Sequence, residues 1–206
     1  LLPAFKNVFD ETEAQVDFVS ANGCMPFTGA FRDDHKSVLC SSYDKYLRQI
    51  LNKYDVLLLS ARWSLYFYGS YGGKDTAKFS IPLQKVVQNF DRHLRSNDLK
   101  AIIVLQVPEQ LVDSKILLNK QSPNDFAVGV KDHLRLKQRY MDYLLKLRKD
   151  VDIIGFDDLF CDASICNVFS QGFLYSDKDH LSPIGARYVT DSLRKQLTEL
   201  GVVDEL

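Results

Sequence analysis

Short apolar runs alternate with amphipathic stretches along this chain, and the alternation constrains its fold more than any other feature. The runs that predict strands are residues 55–60, 101–107 and 151–156. The stretches with apolar residues at helical spacing, which predict helices, are residues 42–54, 80–97 and 131–149. Continuous apolar strands are typical of parallel sheets that are buried on both faces. The sequence therefore predicts an α/β fold: a three-layer α/β/α sandwich with a central, mostly parallel sheet.

The two ends of the chain add further predicted elements. Residues 1–12 predict a helix, and residues 16–21 predict a short strand. Ser182 followed by Pro183 indicates the start of a final helix, with Ser as the N-cap and Pro at the first helical position. A chain of 206 residues can bury a substantial core, so we predict a single domain over residues 1–206. Because the chain has no initiator Met and opens inside a predicted helix, we expect it to be a fragment.

The charge and the hydropathy of the chain indicate neither a nucleic-acid partner nor a membrane-spanning helix. The formal net charge is -1, so the composition gives no reason to expect a nucleic-acid partner. No apolar run approaches the roughly 18 residues that a membrane-spanning helix requires, and no signal peptide is visible.

The four cysteines form two local pairs in the sequence, Cys24 with Cys40 and Cys161 with Cys166. Four cysteines allow three connectivities, and the sequence does not choose among them. Two short disulfide-closed loops would imply an oxidising compartment. The alternative is four unpaired thiols in the cytosol. A metal site is disfavoured because no C-x-x-C or nearby Cys/His ligand set occurs.

The strongest candidate for chemistry is an acid and a base three residues apart, Asp177 and His180, just before the final helix. A carboxylate at this spacing can accept the Nδ1–H of the imidazole, which fixes the tautomer and leaves Nε2 free to take a proton from a nucleophile. Asp179 competes for the orienting role, and we favour Asp177 because adjacent residues seldom face each other across a short loop. The alternative is a surface loop whose His has no catalytic role.

Other candidates follow the predicted strands, where ligands bind in open α/β sheets. We expect Asn22-Gly23, residues 60–63 and residues 106–108 to meet the Asp177/His180 loop at one edge of the sheet. Each candidate also has a structural alternative: Ser60 as a turn residue, Arg62 as an ion-pair partner of a carboxylate such as Asp177, and Trp63 as a core residue. The aromatic residues after them would either line a carbohydrate groove or pack the loop down; they are Tyr66, Phe67, Tyr68 and Tyr71. The remaining histidines, which we expect to be surface or structural residues, are His35, His93 and His133.

An Asp-x-x-His before a C-terminal helix, at the end of an α/β chain of this size, resembles the last motif block of the SGNH hydrolases. Residues 175–182, residues 59–63, the loop at residues 24–26 and the Cys161/Cys166 pair are similar to segments of periplasmic SGNH domains fused behind acyltransferase family 3 membrane domains. The resemblance implies a catalytic triad in which His180 is the base and Asp177 orients it. The nucleophile would be the Ser of a Gly-Asp-Ser motif, and no cofactor or metal is implied.

The sequence departs from the family pattern in two places. It contains no Gly-Asp-Ser. Because residues 2–4 resemble those that follow Gly-Asp-Ser-His in the family, we expect the first strand and the nucleophile to lie just before Leu1. The usual Gly-x-Asn-Asp block is replaced by residues 60–63, which removes the Asn donor of the oxyanion hole. Loss of one such donor costs about 3–4 kcal/mol in the transition state, so we expect a substitute such as the Gly23 N–H or Arg62.

The resemblance implies an O-acyltransferase, with acetyl as the commonest cargo, that acts on a cell-envelope glycan such as lipopolysaccharide. The implied partners are the glycan acceptor, an acyl donor and a covalently linked N-terminal membrane domain that hands over the acyl group. The implied location is the periplasm, with the domain tethered to the bacterial inner membrane by a region outside this chain. The alternatives are a secreted carbohydrate esterase of the same fold, which passes the acyl group to water, and a glycan-binding module without catalytic activity.

Overall fold

The structure, a computed structural model, describes residues 1–67, 77–147 and 151–204. Within these ranges the helices are α1 (Leu2–Phe9), α2 (Ser37–Ile50), α3 (Trp63–Phe67), α4 (Leu83–Ser96), α5 (Ser114–Leu117), α6 (Val130–Leu144), α7 (Asp157–Phe160) and α8 (Pro183–Glu199). The strands are β1 (Val56–Ser60), β2 (Lys100–Val104), β3 (Val128–Gly129), β4 (Asp152–Ile154) and β5 (Ile165–Cys166). Short 3₁₀ turns follow at Leu51–Lys53 and Pro123–Phe126.

Three of the four predicted strands form one sheet, in the order β1-β2-β4. β1 and β2 are parallel, with Val56 opposite Lys100 at one end and Ser60 opposite Val104 at the other. This arrangement confirms the α/β class and the parallel sheet. It also places the carboxyl ends of β1 and β2 at the same edge, as the prediction required. A second, two-stranded antiparallel ribbon pairs β3 with β5.

The chain divides into two compact units. The sheet unit comprises Phe18–Leu105 and Leu136–Ile153, and the α8 unit comprises Leu1–Asp17, Gln106–Arg135 and Ile154–Leu206. The single domain over residues 1–206 and the absence of its first strand stay predictions.

The core of the sheet unit lies around β1, β2 and α4. The apolar stripe of α4 is fully buried in one cluster with the inward side chains of both strands. Phe27 stacks on Phe90 of α4 at 4.2 Å between ring centroids. Trp63 has no exposed surface, and its indole N–H donates to the Val104 carbonyl oxygen at 3.0 Å. This hydrogen bond gives a partner to the indole N–H, the one polar group of an otherwise apolar side chain.

In the α8 unit, α1 packs along α8. Ala4 and Val8 of α1 are completely buried, as are Val189 and Leu193 of α8. The predicted start of α8 is confirmed: the Ser182 Oγ accepts the Gly185 N–H at 3.0 Å, and Pro183 occupies the first turn. In the ranges that the structure describes, no helix is long and apolar enough to cross a membrane.

Several predicted elements differ from the structure. The helix predicted over residues 42–54 is α2, Ser37–Ile50, and the strand predicted over residues 101–107 ends at Val104. Residues 16–21 have no regular structure, and none of them is fully buried. Strand propensity alone did not form a strand there, because a strand requires a neighbour to take its backbone hydrogen bonds. α1 ends at Phe9 rather than at residue 12, and α6 ends at Leu144, before the predicted end at residue 149.

Candidate active site

The predicted acid–base pair lies at the tip of a tight hairpin in the α8 unit. Tyr175 and Leu181 form an antiparallel bridge at its base. Above the bridge, the Ser176 N–H donates to the His180 carbonyl oxygen at 2.8 Å. Below it, the Ser182 N–H donates to the Leu174 carbonyl oxygen at 3.0 Å. The hairpin therefore runs directly into the N-terminus of α8, and Ser182 joins the two elements.

His180 and Asp177 form the interaction that their spacing predicted. The His180 Nδ1 lies 2.8 Å from Asp177 Oδ2 and 3.1 Å from Asp177 Oδ1. Asp177 Oδ1 also accepts the backbone N–H groups of His180, at 2.8 Å, and Asp179, at 3.0 Å. Partial burial raises the pKa of Asp177, but these backbone bonds and the His180 imidazole outweigh it and hold the pKa below its ordinary value. Asp177 is therefore an anionic partner for the imidazole.

Asp179 is a poorer partner for the imidazole than Asp177. Its nearest carboxylate oxygen lies 3.6 Å from His180 Nδ1, beyond hydrogen-bond distance. The His180 side chain is 73% exposed. Because Nδ1 is engaged by Asp177, Nε2 is the nitrogen that remains for proton transfer.

The candidate oxyanion and substrate residues belong to the sheet unit, so their convergence with His180 stays a prediction. Gly23 has a left-handed backbone (φ +78°), and its carbonyl oxygen accepts a hydrogen bond from the Arg32 guanidinium. Ser60 is the last residue of β1 and is partly buried. Arg62 is also partly buried and lies in the short connection to α3.

The aromatic residues near the end of β1 are core residues where the structure describes them. Trp63 is fully buried and its indole N–H is engaged, so its ring is not available to a ligand. Tyr66 and Phe67 are 4% and 3% exposed, which favours the packing alternative over a carbohydrate groove. Tyr68 and Tyr71 lie outside the described residues.

Both cysteine pairs form disulfides, Cys24–Cys40 and Cys161–Cys166. The first joins the loop before α2 to the helix itself. The second joins the residue that follows α7 to the last residue of β5, and the two cysteines also form a β-bridge. No free cysteine is present, which excludes the alternative of four unpaired thiols in this structure.

Of the remaining histidines, His133 has the most defined role. It is 2% exposed, and its Nε2 lies 3.0 Å from Asp157 Oδ1 at the start of α7. This buried pair ties α6 to α7, the structural role that was one of the two expected. His35 is exposed, and burial lowers the pKa of the partly buried His93.

Two groups in the described part of the chain bring three potential metal ligands within 4.8 Å of one another. One consists of His133, Cys161 and Cys166, but both of its sulfurs are in a disulfide and cannot ligate as thiolates. The other consists of Asp177, Asp179 and His180. The hydrogen bonds within the hairpin account for that cluster without an ion.

Sequence reasoning missed two amide side chains, one buried and one partly buried, that bond to backbone groups in the same unit as the hairpin. Gln110 bonds to both strands of the β3–β5 ribbon. Asn124 accepts the N–H groups of Val168 and Phe169, each at 3.0 Å. An amide side chain in a polar segment looks the same in sequence whether it lies in solvent or in a hydrogen-bond network.

Comparisons with known proteins agree with the α/β fold. A family model described as "SGNH domain (fused to AT3 domains)" matches residues 1–195. A solved structure of the periplasmic domain of a lipopolysaccharide acetyltransferase from Salmonella ser. Paratyphi A has a TM-score of 0.64 and 13% sequence identity, and covers 95% of this chain and 78% of that chain. At this identity the likeness shows a common fold. No curated protein matches the chain in sequence. Because the family match extends over almost its whole length, the chain belongs to the family of SGNH domains that are fused to AT3 domains.

Proposed function

We propose that this chain is the O-acyltransferase domain of an envelope-modifying enzyme, with acetyl as the group transferred. The observation that carries the proposal is the hydrogen bond from His180 Nδ1 to Asp177 Oδ2, at 2.8 Å. It orients an exposed imidazole as a base whose Nε2 is open to a nucleophile. The family membership supports acyl chemistry, since that arrangement is the base–acid half of a serine triad.

In the proposed reaction the nucleophile is a serine that precedes Leu1. The proposal is motivated by the absence of a Gly-Asp-Ser motif from these 206 residues. His180 Nε2 takes the serine proton as Oγ attacks the acyl carbon, and the leaving group of the donor departs with that proton. A sugar hydroxyl then gives its proton to His180 and attacks the acyl-serine, and the proton returns to the serine oxygen. Asp177 stabilises the imidazolium in both steps.

The proposed site also requires a donor for the oxyanion. Gly23, Ser60 and Arg62 are the candidates, since they lie in the sheet unit at or near the end of β1 or in a glycine turn. Arg62 is our first choice because a guanidinium carries the charge that an oxyanion needs. Trp63 is not proposed, because its N–H is already bonded.

The proposed acceptor is a cell-envelope polysaccharide, and lipopolysaccharide is the first one to test because the structural neighbour is a lipopolysaccharide acetyltransferase domain. The proposed partner is a membrane domain linked to the N-terminus of this chain, supported by the fusion to AT3 domains that describes the family. The proposed location is the periplasm, since both disulfides need an oxidising compartment to persist.

A carbohydrate esterase is the second candidate, and the exposure of His180 favours it. With 73% of the His180 side chain open, water can reach Nε2 as easily as a sugar hydroxyl can. The two activities use the same triad and differ in whether water is excluded from the acyl-enzyme. A bound acceptor glycan that excludes water from the acyl-enzyme would favour transfer of the acyl group to a sugar hydroxyl.

The test uses the protein extended by its natural residues before Leu1. Hydrolysis of p-nitrophenyl acetate is compared between the parent and the His180→Ala and Asp177→Ala variants, with Asp179→Ala as the matched control. We expect losses of about 10³-fold or more for the first two, in line with removal of a triad member, and less than about 10-fold for the control. A second assay adds polysaccharide and follows O-acetyl sugar against free acetate, which separates transfer from hydrolysis. An inert parent, or variants equal to it, would overturn the catalytic proposal in favour of a glycan-binding module.

A further inference from the structure

Gln110 connects two parts of the α8 unit through its backbone and its side chain. Its backbone N–H donates to the carbonyl oxygen of Lys178 at 2.7 Å. Lys178 lies inside the hairpin tip, between Asp177 and His180. The Gln110 contact therefore reaches the middle of the loop that carries the acid–base pair, from a segment of the chain about 70 residues away in sequence.

The side chain of Gln110 is bonded to a rigid part of the same unit. Its Nε2–H donates to the Cys166 carbonyl oxygen at 3.2 Å, and its Oε1 accepts the Val128 N–H at 3.1 Å. Val128 and Cys166 are partners in the β3–β5 ribbon. The amide therefore bonds to both members of one strand pair, much as a backbone peptide of a third strand would.

The ribbon is itself well anchored. Cys166 is bonded to Cys161 by a disulfide and has no exposed surface. Gln110 is only 2% exposed, so no water competes for its amide. Loss of the side-chain bonds would leave the Val128 N–H and the Cys166 carbonyl oxygen buried without their partner, which is unfavourable. The side chain of Gln110 is thus held by two backbone groups of the anchored ribbon.

We propose that Gln110 is a positioning residue: its side chain is clamped to the disulfide-anchored ribbon, and its backbone N–H holds the Lys178 carbonyl so that Asp177 and His180 keep their relative geometry. The expected effect on catalysis rests on the proposed function, whereas the expected effect on the geometry of the loop does not. The pair itself is exposed at the tip of a hairpin, where only local bonds would otherwise limit its motion. The bond from the Gln110 N–H to the Lys178 carbonyl restricts the motion of the loop between Asp177 and His180, where motion would change the distance between the two side chains.

The test compares Gln110→Met with Asn124→Leu. Gln110→Met keeps the length of the side chain and removes its amide. Asn124→Leu is the matched control, since it removes another amide that bonds backbone groups in the same unit, at Val168 and Phe169, without any bond to Lys178. The primary readout is the titration of the Asp177 carboxyl group, followed by carbon NMR on the 206-residue chain, because this readout does not depend on activity.

In the parent, the pKa of Asp177 lies below its ordinary value because backbone and imidazole N–H groups bind the carboxylate. We expect Gln110→Met to raise the pKa of Asp177 toward the ordinary value of about 3.9, and Asn124→Leu to leave it in place. In the extended protein, we expect Gln110→Met to lower kcat by about 10²-fold with KM within about twofold, since a misplacement of about 1 Å can have that effect.

The outcomes separate the two proposals. If the Asp177 titration moves in Gln110→Met and the parent shows no acyl chemistry, the positioning role stands and the proposed function fails. If the titration stays in place in a folded Gln110→Met protein, or moves equally in Asn124→Leu, the positioning role is overturned whatever the activity. Should Gln110→Met not fold, hydrogen exchange of the parent decides: slow exchange of the Gln110 N–H supports the hold on Lys178, and exchange as fast as that of an exposed loop overturns it.

Discussion

Asp177 stabilises the hairpin and orients the imidazole with the same carboxylate. Oδ1 accepts the backbone N–H groups of Asp179 and His180, and Oδ2 receives the His180 Nδ1. These bonds require the ionised form, because a protonated carboxyl group offers fewer acceptor sites to N–H donors. The charge of Asp177 therefore contributes to the stability of the loop as well as to the proposed chemistry.

We predict a pH dependence of stability that follows from this charge. The pKa of Asp177 is lower in the folded protein than in the unfolded chain, where it is about 3.9. The stabilisation is therefore fully present above about pH 4 and is lost as the pH falls through the folded pKa. The measurement is urea unfolding of the parent and of Asp177→Asn from pH 7 to pH 3. We expect the advantage of the parent to shrink as the pH falls below about 4.

Asp179→Asn is the control for this measurement, since Asp179 is the neighbouring carboxylate and its oxygen lies farther from His180 Nδ1, at 3.6 Å. An advantage of the parent over Asp177→Asn that persists unchanged to pH 3 would contradict the prediction.

Individual side chains differ in how well they could be predicted from sequence. Asp177 and His180 could be paired because they are three residues apart, so a local turn brings them together. For Trp63 the sequence left a core role as one of two alternatives, since its burial depends on Val104 in another element. Gln110 escaped prediction for the same reason: its partners, Val128, Cys166 and Lys178, come from three separate segments.

α8 passes close to the backbone of the hairpin segment at Gly185. A Cβ atom placed on Gly185 would lie 1.9 Å from the Leu174 carbonyl oxygen and 2.8 Å from its carbon. Both atoms are backbone atoms of the strand that leads into the hairpin, and Leu174 already accepts the Ser182 N–H. The absence of a side chain at Gly185 is therefore what lets α8 begin directly beside the loop that carries His180.

We predict that Gly185→Ala destabilises the protein by about 1–3 kcal/mol through this overlap. A decrease in stability would be informative, because the replacement of Gly by Ala inside a helix otherwise stabilises the helix by about 1 kcal/mol. Gly172→Ala is the matched control: its Cβ would meet the end of the Ile184 side chain at 2.5 Å, a flexible group that can move aside. The free energy of unfolding in guanidinium measures both variants. A Gly185→Ala protein as stable as the parent would show that the close approach is not required.

The strands and helices followed the sequence where their pattern repeats over many residues. β1 could be predicted from its continuous apolar run, and the long helices from apolar positions that recur at the helical period. Residues 16–21 have a suitable pattern but no partner strand in the described structure, so they remain irregular. The β3–β5 ribbon, with two residues in each strand, is too short for any periodicity to show.

For the chain as a whole, the disulfides connect the fold to the compartment in which it can persist. Cys24 and Cys40 are separated by 16 residues, and Cys161 and Cys166 by 5. In the chain-entropy model the first closure stabilises the folded state by about 3 kcal/mol and the second by about 2 kcal/mol. The free energy of unfolding of a domain is typically only about 5–15 kcal/mol, so the two disulfides together contribute a large share of it.

We therefore predict that reduction lowers the free energy of unfolding substantially, and that the two disulfides contribute unequally. Guanidinium unfolding is measured for the oxidised parent, for the parent with reductant, and for the variants Cys24→Ala/Cys40→Ala and Cys161→Ala/Cys166→Ala. We expect the first variant to lose about 1 kcal/mol more than the second, because its loop is longer. The parent with reductant should fall below both, since it loses both closures. If the reduced parent unfolds at the same denaturant concentration as the oxidised parent, the fold does not depend on its disulfides, and the argument from them to the periplasm loses its physical basis.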